Sequence, residues 1–176
     1  MYSGDYKLFK SGELVNEKTT HLASLVDNFK DYVSKAPNLH KNVKLVRFVD
    51  RDAAQGMLDL VLNNEEESYK LVNLITNAAK DGKGNVKELV EEFTARVAGV
   101  QFEANSFIST SYDITTNMFK GRRFKLEIFA DEGTDVLMTY NHFESEVILN
   151  AGTKLEFLDL EVLEDKAVLR MRAFSK

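Results

Sequence analysis

The 176-residue chain has no cysteine and one proline, Pro37. Without cysteine there are no disulfides and no thiol catalysis. The redox compartment stays open, with a cytosolic or host-cytosolic working place slightly favoured. The three histidines, His21, His40 and His142, are scattered and share no metal-ligand spacing, so no metal is expected. There is no G-x-S-x-G and no Walker-type loop. The Gly82/Gly84 pair follows no strand-like run, so the doubly wound dinucleotide fingerprint is not supported. No run approaches the ~18 apolar residues of a membrane span. Met1 to Asp5 precede no apolar signal core, which leaves three expectations: the protein stays in the cytosol, is secreted or injected by a route not encoded here, or is a module of something larger. Basic excess is also missing. The net charge of -5 disfavours a nucleic-acid partner, which usually calls for a basic patch, and is compatible with simple solubility.

What is present suits one domain. A chain of this length and 44% hydrophobic content can bury roughly two-thirds of its unfolded surface. Leu22, Leu25, Val26, Phe29 and Val33 recur at helical spacing behind the cap candidates Thr19 and Thr20, and Pro37 closes that run. Val43 to Val49 is a β-branched run of strand length. A second helix carries Tyr69, Val72, Leu74, Ile75 and Ala79 and stops at Asp81-Gly82-Lys83-Gly84. Asn85 then caps a third, with Val86, Leu89, Val90, Phe93 and Val97 on its face. Strands are expected at 106–111, 122–129, 145–149, 154–163 and 166–174, separated by Glu132-Gly133, Asn150-Ala151-Gly152 and Glu164-Asp165. Helices first and strands later indicate an α+β fold.

With thiols and metals set aside, carboxylates, hydroxyls and arginines remain. Glu144-Ser145-Glu146 leads into the apolar run Val147-Ile148-Leu149. On a strand, side chains two apart share a face, which would set these carboxylates about 6–7 Å apart along the backbone. Such a pair repels itself. Either it faces water at a strand edge, where charge discourages aggregation, or it serves a reaction. Glycosyl transfer through a cation-like sugar wants one ionised carboxylate beside the developing charge and a second to handle the acceptor's proton. Ser109, Thr110 and Ser111, in a strand-like segment, offer hydroxyls that could fix a carboxylate. Arg47, inside an otherwise core-like strand, offers a guanidinium with diphosphate geometry, or else an internal salt-bridge partner.

The order Val46-Arg47-Phe48, then Ser106-Phe107-Ile108-Ser109-Thr110-Ser111, then Glu144-Ser145-Glu146-Val147-Ile148-Leu149-Asn150-Ala151-Gly152-Thr153-Lys154 resembles the mono-ADP-ribosyltransferases of the Arg-Ser-Glu class, bacterial toxins among them. The likeness runs from about Lys44 to Phe157. It implies a single domain over 1–176: a helical leading segment, 1–40, and a catalytic core, 43–176, of two mainly antiparallel sheets around an NAD cleft. NAD would be the substrate, with no metal. Arg47 would contact its phosphates, and Ser109 would orient Glu146, with Thr110 and Ser111 supporting the local geometry. Glu146 would bind the nicotinamide ribose and stabilise the oxocarbenium ion, and Glu144 would position or deprotonate the acceptor. Relatives with glutamate at that place generally modify arginine.

The segment Asn117 to Arg123 resembles the loop that closes on phosphate and nicotinamide. Phe119 could stack there and Arg122 or Arg123 reach a phosphate, or the segment is a basic turn with one core aromatic. Tyr140, His142 and Phe143 fall where such enzymes recognise their protein target, although one of the aromatics could equally be core. The family's arginine is often flanked by tyrosine and glycine, so Arg51, four residues beyond Arg47, competes for the phosphate role. The partners implied are NAD, an unidentified protein target and, for a toxin-like chain, an inhibitor or immunity protein. NAD glycohydrolysis, a non-arginine or nucleic-acid acceptor, and a non-enzymatic interaction module on the same fold are the alternatives.

Overall fold

The computed structural model describes residues 17–81, 86–139, 145–163 and 166–174. The chain divides into two compact units, Met1–Ala36 and Pro37–Lys176.

In the first unit, helix α1 spans Glu17–Lys35. It starts before Thr19 and Thr20, which therefore lie inside its first turn and are not its caps. Its last turn carries the Lys35–Asp31 ion pair, and the Ala36 N–H donates to the Tyr32 and Val33 carbonyls. Helical geometry is disfavoured for Ala36 because Pro37 follows it, so the helix ends there.

The second unit opens with β1, Val43–Val49, at the predicted limits. Helix α2, Arg51–Leu62, was not predicted. Its signals are nonetheless local. The Asp50 carboxylate accepts from the Ala53 N–H at 2.8 Å, Asn63 closes the helix in the left-handed region, and Ala54, Leu58 and Val61 line its buried face. Helix α3 spans Glu65–Asp81 and α4 spans Val86–Val97. The expected cap Asn85 and the Gly82 to Gly84 breaker lie outside the described residues. The strands that follow are β2 (Gln101–Glu103), β3 (Ile108–Ser111), β4 (Phe124–Ala130), β5 (Val136–Met138), β6 (Glu146–Leu149), β7 (Lys154–Val162) and β8 (Ala167–Ala173). The three-residue strands β2 and β5 are too short to show an alternation and were not expected.

The fold is α+β, as predicted. The expected pair of sheets is corrected: the described strands hydrogen-bond into one eight-stranded array, in the order β2-β7-β8-β4-β1-β3-β6-β5. It is mixed, with β4 and β8 parallel and the other pairs antiparallel. The continuity is thin at one place. β1 pairs with β4 along its whole length but meets β3 at the single pair Val46↔Ser111. That one residue pair joins the two ladders.

One face of β1, β4, β8 and β7 is apolar. Leu45, Ile128, Leu169, Met171, Leu155 and Phe157 are all fully buried. They share a core with Val90, Phe93 and Val97 of α4, whose i, i+3, i+7 spacing forms one helical stripe. Phe93 meets Phe157 edge to face at 5.7 Å, and burying a ring of this kind contributes about 2–3 kcal/mol. Gly99, at φ 84°, turns the chain out of α4 and into β2, and its N–H donates to the Phe157 carbonyl.

The opposite face carries charge. Glu127 in β4 is buried, yet Lys125 (2.9 Å), Lys44 (3.0 Å) and Arg170 (3.2 Å) surround it. Burial pushes this carboxyl upward, but the hydrogen bonds and charges of Lys125 and Lys44 outweigh burial and hold it at about 2. Arg170 extends the network to Asp159 and Glu161.

Candidate active site

β6 lies between β3 and β5. Its pairings place Glu146 directly opposite Ser111 on one side, and continuing the β5 register from Met138↔Val147 places Thr139 opposite it on the other. Residues opposite one another in antiparallel strands share a face, and diagonal neighbours remain within reach of a long side chain. The Ser109 hydroxyl, on the diagonal, donates to Glu146 Oε1 at 2.6 Å. The Thr139 hydroxyl donates to Glu146 Oε2 at 3.0 Å.

The three hydroxyls of β3 thus do different things. Ser109 reaches the carboxylate. Thr110 is buried and donates to the Val147 carbonyl at 2.7 Å, stitching β3 to β6. Ser111 accepts from the Asp113 N–H at 3.1 Å, which turns the chain out of the strand. Arg47 approaches from β1, and its guanidinium donates to the Ser109 carbonyl at 3.0 Å. Arg47 and the whole Ser109 to Ser111 triplet line a cleft with Val46, Phe48, Thr116, Met118 and Phe119. Arg51 stacks over the Tyr69 ring at 5.2 Å and does not line this cleft. A larger recess beside the start of β1 contains Lys44 and Arg172, but these are paired with Glu127 and Asp131.

Two non-glycine residues with positive φ lie at this site. Phe119, φ 59°, stands half-exposed at the cleft, and Ser145, φ 47°, immediately precedes Glu146. A left-handed backbone at such residues costs on the order of 1–2 kcal/mol, and strain of this kind gathers at functional sites. Ser145 also corrects the strand argument. β6 begins only at Glu146, so the two-residue period cannot place Glu144 and Glu146 on one face of a strand. The Ser145 carbonyl accepts from the Tyr112 N–H, which holds this bend against the end of β3.

Arg122 donates to the Phe48 carbonyl at 3.2 Å and lies 4.2 Å over the Phe119 ring, so it braces the aromatic. Arg123 precedes β4, its carbonyl accepting from the Ala167 N–H. Neither arginine lines the cleft as the chain stands. Glu144, Tyr140, His142 and Phe143 lie outside the described residues. Among the described residues no group of three His, Asp or Glu side chains could hold a metal ion, and no helix is long and apolar enough to cross a membrane.

Sequence reasoning missed Thr116, and it placed Val46, Phe48, Met118 and Thr139 in the motifs and loops of this site without giving any of them a role of its own. Val46 and Phe48 entered only as the flanks of Arg47 in its motif. Thr139 has no sequence signature, because its bond to Glu146 depends on the register between β5 and β6.

The fold matches that of known toxins. The chain is similar to C3stau2 of S. aureus, solved with NAD, at 17% identity and a TM-score of 0.71 over 97% of this chain and 80% of that one. It is similar to the Clostridium limosum C3 exoenzyme at 17% identity and a TM-score of 0.65 over 96% and 76%. The enzymatic component C2-I of the Clostridium botulinum C2 toxin gives 18% and 0.62, over 98% of this chain and 39% of that longer one. No curated protein sequence matches the chain. The family model for the ADP-ribosyltransferase exoenzymes matches residues 7–172, and the chain belongs to that family. Its chemistry is NAD-dependent ADP-ribosylation.

Proposed function

We propose that this chain moves ADP-ribose from NAD to an arginine side chain of a protein target, with Glu146 as the residue that cleaves NAD. The observation that carries the reading is the Glu146 carboxylate, held by Ser109 beside a cleft that Arg47 enters. Arg47 binds the diphosphate as a planar fork, and Phe119, braced by Arg122, covers the nicotinamide ring. The bond between the ribose anomeric carbon and the nicotinamide nitrogen breaks, and its electron pair leaves with neutral nicotinamide. The ribosyl cation left behind is stabilised by the Glu146 carboxylate. A guanidinium nitrogen of the target forms the new bond to the anomeric carbon, and its proton passes to Glu144. The arginine acceptor rests on glutamate at position 144, by the resemblance described above. Tyr140, His142 and Phe143 are the proposed contacts to the target. The working place is a cytosol, where NAD and protein targets meet.

Labelled NAD incubated with the protein and a cell lysate should mark a protein band, and an arginine-specific ADP-ribosyl hydrolase should remove the label. Glu144→Gln should abolish the label while nicotinamide release in the absence of lysate persists. Label that resists the hydrolase would overturn the acceptor. Free ADP-ribose with no labelled band would make the chain a glycohydrolase.

A further inference from the structure

We infer that Thr139 is the second arm of a clamp on Glu146, an inference that rests on the role proposed above for Glu146. The Ser109 hydroxyl bonds one carboxylate oxygen from β3, and the Thr139 hydroxyl bonds the other from the residue that follows β5 on the opposite side. The last torsion of a glutamate is broad and roughly two-fold, so a single hydroxyl leaves the carboxylate free to swing about that bond. Two hydroxyls on different oxygens fix its plane. An ionised carboxylate accepts at about four lone-pair sites, so the clamp leaves capacity for a ribose hydroxyl and for the anomeric carbon.

Thr139 is also anchored through its backbone. Its N–H donates to the Glu146 carbonyl at 3.1 Å, and the Ser145 carbonyl is held by Tyr112. Thr139 is thus a positioning residue: it acts on turnover through Glu146 and does not itself hold NAD.

The test is Thr139→Val, which keeps the β-branched shape and removes the hydroxyl, measured as nicotinamide release from NAD alone. The kcat should fall about tenfold, the scale expected for losing one hydrogen bond to a charged group. The KM for NAD should stay within about twofold, and Thr139→Ser should restore most of the rate. Wild-type kcat in Thr139→Val, or a rise in KM alone, overturns the clamp. Glu146→Gln measured beside it separates the two claims. If Glu146→Gln abolishes cleavage while Thr139→Val is silent, only the clamp falls. If both variants cleave NAD normally, the role of Glu146 falls first.

Discussion

Glu127 in β4 and Glu146 in β6 are carboxylates of one sheet held by opposite means. Glu127 is buried among Lys125, Lys44 and Arg170, and its charge is spent on cations of the same fold. Glu146 is half-buried, and among the described residues its side-chain hydrogen bonds come from two neutral hydroxyls. Hydroxyls orient a carboxylate without cancelling its charge, whereas lysines and arginines cancel it. The first arrangement secures the sheet. The second leaves a negative charge, aimed and still available, which is what a cationic sugar requires. The residue type and the sheet are the same, so the difference lies in the partners and the depth of burial.

The comparison is most easily broken at Glu146. Replacing it with glutamine keeps the size and most hydrogen-bonding capacity but removes the charge. Nicotinamide release should fall by about a thousandfold or more, roughly 4 kcal/mol of transition-state stabilisation. The melting temperature should move by no more than about 2 °C. A large loss of stability with modest loss of rate would mean that Glu146, like Glu127, is structural.

Glu127→Gln should show the reverse. It leaves three cations facing an uncharged amide, and unfolding free energy at neutral pH should drop by about 3 kcal/mol. Nicotinamide release per folded molecule should be unchanged. The folded carboxyl titrates near 2, below its ordinary 4.5. Its stabilisation is therefore present above about pH 4.5 and is lost as pH falls toward 2, so the gap between wild type and variant should close across that window. Denaturant titrations at pH 7, 4 and 3 would measure it, and a gap constant with pH would contradict the ion network.

A smaller effect sharpens the comparison at the cleft beside Glu146. Arg47→Lys keeps the charge but loses the planar fork, and should raise the KM for NAD about tenfold with a lesser change in kcat. Arg51→Lys should leave KM unchanged, because Arg51 stacks on Tyr69 outside the cleft. Equal effects from both would reopen the choice between them.

Much of the fold was legible. β1 was placed to the residue, and β7 and β8 within one residue at each end, because long apolar alternations bounded by turns leave little freedom. α2 was legible but overlooked, although Asp50 and the Ala54, Leu58, Val61 stripe announce it. β2 and β5 were not legible, since three residues carry no period and form only by pairing with β7 and β6. Within the site, the triplet at Ser109 to Ser111, Arg47 and Glu146 stood out because a strand that should be apolar carries polar groups.

What the sequence determined by itself was which of the longer segments become helix or strand and which residue types could bear charge chemistry, since both follow from local spacing and side-chain identity. The tertiary structure decided the rest. That Arg47 faces the cleft and that Thr139 reaches the same carboxylate as Ser109 depend on register between strands distant in the chain, while the bend at Ser145 is held by Tyr112 at the end of β3. Sliding a strand by one residue would turn all its side chains to the other face, and only the packed sheet fixes which register is taken.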